Sequence, residues 1–156
     1  MTLISTSIII DSTPEVVRKS FLDFKHYPEW APFITSVQVQ DKKRDQEIDS
    51  YADLKAGEHL VVALQDKEGA KPNIIEPVLL ENSPERFQWK GKVLYDWIFW
   101  GAHKFEFKPI ENGTKTELIH SEQFGGLLTS IVIYFFNPEA LFIRFNESLK
   151  KRVESI

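Results

Sequence analysis

His103, His120 and Glu122 are the side chains on which a chemical role for this protein would rest. An imidazole can move a proton or polarise a carbonyl near neutral pH, and a neighbouring carboxylate can orient the ring or serve as the base. All three fall within residues 97–126, which read as two long strands joined at Asn112-Gly113, a strong hairpin signal. Strand side chains alternate between faces, so Phe99, Gly101, His103, Phe105 and Phe107 share one side before the turn. Thr116, Leu118, His120, Glu122 and Phe124 share one side after it, while Lys104, Glu106 and Lys108 mark solvent. The three polar groups thus interrupt an aromatic interior wall. A two-residue turn sets His103 against Glu122, and a four-residue loop sets it against His120; either register clusters them. Unpaired burial is costly, so mutual hydrogen bonding is expected.

Such a cluster has several uses. It can hold strand register, orient the polar end of a ligand, or transfer protons in catalysis. Two His and one Glu could also begin a tetrahedral zinc site. The preferred reading, a structural or ligand-orienting cluster, needs neither metal nor cofactor. Aromatic walls with a few placed polar groups are the usual make-up of a small-molecule pocket. The candidate ligand-binding set is therefore Trp89, Phe99, His103, Phe105, Phe107, Leu118, His120, Glu122, Phe142 and Phe145. His103, His120 and Glu122 double as the catalytic candidates.

Bulk properties narrow the classes. A chain of 156 residues with 42% hydrophobic and 27% charged content makes one globular domain, spanning 1–156. Twelve Phe and four Trp favour a bulky apolar lining. A net charge of -4 argues against nucleic acid as a partner, because phosphate binding wants a basic face. The absence of Cys removes disulfides and thiol chemistry and fits a reducing, cytoplasmic setting. Residues 1–15 carry no basic, then apolar, leader pattern. The apolar run Leu127 to Phe136 is too short to span a bilayer. It reads as a buried helical extension by default, with a lid or a surface for transient membrane contact as alternatives.

The scaffold around the cluster begins with Leu3 to Ile10, a β-branched strand. Ser12 or Thr13 caps a helix with Pro14 at its first position and an apolar stripe through Val17, Phe21 and Phe24. Pro28 and Pro32 restrict the segment after it to a short helix or turns. Strands are expected at residues 34–40, 57–65, 73–82 and 86–91, with Pro77 marking an edge or bulge in the third of these. Residues 41–50 read as an exposed loop or strand end. Asn137-Pro138-Glu139 repeats the cap-proline-acid start, with Asn137 as the cap, and opens a helix to about Val153 with Leu141, Phe142, Phe145 and Leu149 on one side.

This order resembles the START-like superfamily, which includes polyketide cyclases/dehydrases and lipid-transfer domains. The matching pieces are Ile8-Ile9-Ile10-Asp11 before Thr13-Pro14-Glu15, then Tyr27-Pro28-Glu29-Trp30, Arg86-Phe87-Gln88-Trp89, Gly101-Ala102-His103, Asn112-Gly113-Thr114, Ser121-Glu122-Gln123-Phe124-Gly125-Gly126 and Phe145-Asn146-Glu147. Lys92 to Trp97 stands where that pattern has a Gly-containing turn. The resemblance implies an α+β helix-grip fold, a curved antiparallel sheet around a long C-terminal helix with an apolar cavity between them. Tyr27 to Trp30 reads as a rigid structural corner rather than a binding loop, and the fold implied sets it at the border of the cavity mouth. The function it implies is binding of an apolar small molecule. The alternatives are a cyclase or dehydratase using the His/Glu cluster, and a protein-interaction module presenting residues 127–136.

Overall fold

A computed structural model describes residues 1–156. Strand β1 (Thr2–Ile10) leads into α1 (Pro14–Phe21), whose first turn is capped by the Thr13 hydroxyl accepting from the Val16 amide. A single 3₁₀ turn at Phe24–His26 and the short α2 (Tyr27–Trp30) come after it. Next come β2 (Phe33–Val39), α3 (Lys42–Glu47), β3 (Leu60–Gln65), β4 (Asn73–Ile75), β5 (Val78–Asn82), β6 (Arg86–Val93), β7 (Phe99–Ile110) and β8 (Lys115–Gly125). The chain closes with α4 (Thr129–Phe136) and α5 (Pro138–Glu154).

All strand pairs are antiparallel, in the orders β1-β8-β7-β6-β5 and β2-β3-β4. The expected single strand over 73–82 is broken at Pro77, which has no N–H for a ladder. Its first half pairs with β3 and its second with β6. Backbone bonds from Leu60 to Pro77 and between Glu58 and Leu79 stitch the two sheets together, so the sheet bends over at this break. The long α5 lies in the resulting concavity against β1 and β8, which is the helix-grip arrangement. Its Phe145, Leu149 and Val153 are buried, and Phe145 meets the rings of Phe21, Tyr27, Trp30 and Phe105.

Three expectations need correction. Residues 42–47 form a helix, because the Asp41 carboxylate caps the Lys43 and Arg44 amides. That helix buries none of its own residues, so no apolar period announced it. Residues 127–136 are mostly exposed rather than buried: Leu127 is 77%, Tyr134 81% and Phe135 73% exposed, and only Thr129 is buried. Asn137 makes no side-chain cap for α5; at φ 44° it closes α4 as a left-handed residue, its N–H reaching the Ile133 carbonyl. Tyr27 and Trp30 pack around Phe145 as a structural corner, with Pro28 and Glu29 exposed, and the stretch is not in the cavity wall.

Candidate functional site

The β7–β8 hairpin fixes the cluster. Ile110 pairs with Lys115 across a four-residue connection, and His103 faces Glu122 while Phe105 faces His120. The expected link between a four-residue loop and a His103–His120 pairing is thereby corrected. The loop is centred on Asn112-Gly113, as the two-residue turn would be, so both give the same register.

The polar groups form a line rather than a ring. His103 Nδ1 lies 3.1 Å from Glu122 Oε2, and its Nε2 lies 2.5 Å from His120 Nε2. His120 Nδ1 lies 2.7 Å from Asn146 Oδ1 on α5. Asn146 Nδ2 donates to Thr6 Oγ1 at 2.9 Å, and that hydroxyl donates to the His120 carbonyl at 3.0 Å. The chain of contacts thus runs from β8 through β7 and α5 to β1 and back. No three His, Cys, Asp or Glu side chains are grouped so as to hold a metal ion.

The backbone carbonyl of His120 orients the line. It can only accept, so the Thr6 hydroxyl spends its proton there and must accept from Asn146. Asn146 therefore turns its NH₂ to Thr6 and its oxygen to His120, which places a proton on His120 Nδ1. Burial, and then the neighbouring His103, hold His120 well below the ordinary imidazole value; its bonds to Asn146 and to the Phe142 backbone oppose this. A neutral His120 with Nδ1 protonated accepts at Nε2, so His103 Nε2 carries a proton as well.

Glu122 is where this line meets open space. Its side chain retains 15% of its exposure and lines a cavity of about 180 Å³. The sheet wall is Trp89, Gly91, Phe99, Gly101 and Phe124; Leu64 and Ile75 close one side, and Val132 and Phe136 of α4 with Leu141 of α5 close the other. Phe33 also enters the wall at φ 65°, a left-handed backbone uncommon for a bulky residue, with its ring 6.3 Å from the His103 ring.

Among known proteins, a family described as "Polyketide cyclase / dehydrase and lipid transport" matches residues 1–154. The chain belongs to that family. No curated protein matches the sequence. The family fold recurs in a START superfamily protein from Mycobacterium smegmatis, at 14% identity and TM-score 0.67, covering 98% of this chain and 97% of that one. The Zhui aromatase/cyclase from Streptomyces sp. R1128 is similar at 8% identity and TM-score 0.68, covering 98% and 93%. Norcoclaurine synthase from Thalictrum flavum, as a point mutant with a transition state analogue, is similar at 11% identity and TM-score 0.66, covering 99% and 94%.

In this polyketide cyclase/dehydrase and lipid-transport family member, the sequence-derived set divides into two layers. Trp89, Phe99 and Glu122 line the cavity. His103, Phe105, Phe107, Leu118, His120, Phe142 and Phe145 are buried behind it and are not part of its wall. Two members of the polar line went unnoticed in the sequence. Asn146 left a trace, as the one amide on the apolar stripe of α5, whereas Thr6 in a β-branched strand left none.

Proposed function

We propose that the protein holds a small apolar molecule in the cavity between the sheet and the α4–α5 elbow, with Glu122 at the molecule's polar end. The observation that supports this is the combination of a mainly apolar wall with the Glu122 carboxylate, which lies against the buried His103 ring. The volume limits the occupant. A cavity of about 150 Å³ is enough for benzene, whereas drug-sized ligands occupy about 300–1,000 Å³. One ring or a fused pair fits inside, and a longer molecule must leave its remainder in the mouth beside Val93 and Phe136.

Proton transfer of the cyclase or dehydratase kind is the competing use of the same groups. His103 and His120 do not reach the cavity wall, so any proton exchanged with an occupant passes through Glu122. A second reading, docking of a partner on residues 127–136, is favoured by the exposure of Leu127, Tyr134 and Phe135.

Native mass spectrometry of the freshly purified chain, followed by denaturing extraction, tests holding directly. A discrete apolar molecule released at a one-to-one ratio is the expected result. A chain at bare mass that also takes up no small aromatic compound would remove the holding reading and leave the docking surface in front.

A further inference from the structure

Resting on that reading, we infer that the cavity selects occupants carrying a hydrogen-bond donor, a hydroxyl or N–H group, and that the donor seats on Glu122 Oε1. The two carboxylate oxygens have different neighbours. Oε2 faces His103 Nδ1 at 3.1 Å. Oε1 lies in the space a side chain at Gly101 would fill, on the cavity side of the sheet, and no protein group donates to it. It is not sealed in among the unpartnered buried atoms either.

Glu122 Oε2 lies against His103 Nδ1, and the other nitrogen of that ring is taken by His120 Nε2, so the buried line reaches one carboxylate oxygen only. A carboxylate oxygen accepts and cannot donate. Oε1 therefore presents the cavity with an acceptor.

The other polar lining groups do not donate to Oε1: Lys92 and Asn73 are exposed, with Lys92 Nζ 3.8 Å from Asp96, Asp66 is a second carboxylate, and the Trp89 indole N–H makes no protein hydrogen bond. A ring with only acceptor atoms would leave Oε1 desolvated and unpaired, and an anionic occupant would face a carboxyl oxygen. Buried polar groups left without a partner are what give a pocket its sharpest discrimination.

The test is calorimetric titration with indole, benzofuran and benzoate. Indole and benzofuran have nearly the same shape and differ in whether the five-membered ring donates. On the unmodified protein, indole should bind about tenfold more tightly than benzofuran, the equivalent of one modest net hydrogen bond, and benzoate should bind most weakly. Glu122→Gln should keep the preference, because its amide NH₂ can donate to His103 Nδ1 while its oxygen stays towards the cavity. Glu122→Leu should abolish it. Equal affinity for indole and benzofuran, tight binding of benzoate, or a preference that survives Glu122→Leu would overturn the inference. The ligand series on the unmodified protein decides the matter if the Leu variant does not fold. Failure of all three compounds to bind would instead remove the holding reading on which the inference rests.

Discussion

The carboxylate of Glu122 occupies the space directly over Gly101, one inward-facing position along β7 from its partner His103. A Cβ at position 101 would overlap Oε1, the flexible end of the glutamate rather than fixed backbone. Gly101→Ala should therefore push the carboxylate away from its place without breaking the sheet. The expected stability change is within about 1 kcal/mol, since the added Cβ also restricts the unfolded chain. The indole-over-benzofuran preference should shrink even though Glu122 is still present. Paired denaturant and calorimetric titrations check this; an unaltered preference would mean that Glu122 does not seat the donor.

The hairpin and its inward set were legible because a strand exposes alternation directly, and Asn112-Gly113 marked its centre. What the sequence did not show was depth. Alternation places Trp89, Phe105 and His120 on one side of the sheet, but which of them meets a void depends on where α4 and α5 cross. The fate of residues 127–136 was hidden because an apolar run carries no face of its own. The α3 helix was hidden for the opposite reason, having no apolar residue to bury.

Asn146 ties α5 to both β1 and β8 through one amide. Asn146→Leu keeps the volume but leaves the His120 Nδ1 proton and the Thr6 hydroxyl without this partner. The expected loss is about 1–3 kcal/mol, measured as a lower denaturant midpoint with an unchanged slope. A midpoint at or above that of the unmodified chain would show that the line is not a net stabilising tie.

His120 should make the fold acid-sensitive. Burial and then His103 depress its folded value, so the native state stays unprotonated there while the unfolded chain takes up a proton below about pH 6.5. The unfolded state then binds more protons, and stability falls as pH drops through that region, by up to about 1.4 kcal/mol per pH unit for this one group. His26 works in the opposite sense. Its hydrogen bond to Asp23 raises its folded value, so its contribution is full in acid and lost as pH rises. Denaturant midpoints measured on a His26→Gln background should fall between about pH 7 and pH 5. Adding His120→Phe should flatten that fall; an equally steep decline would assign the sensitivity elsewhere.

Val132 reaches the cavity from α4, a helix with little packing against the rest of the molecule. Val132→Trp should fill the space at small cost, because the helix can shift outwards. Stability is expected to drop by no more than about 1–3 kcal/mol, the range for overpacking, while indole binding disappears. Retained binding in a folded Val132→Trp chain would place the site elsewhere.

The most direct measurement is an NMR titration of methyl-labelled protein with indole, whose ring shifts any methyl group it touches. The account predicts saturable shifts at Leu64, Ile75, Val132 and Leu141, which line the cavity, with Leu3 and Leu80 on distant exposed surface unmoved. Shifts confined to Leu127 and Ile131 on the exposed side of the α4 region, or none at saturating indole, would contradict a ligand-holding cavity.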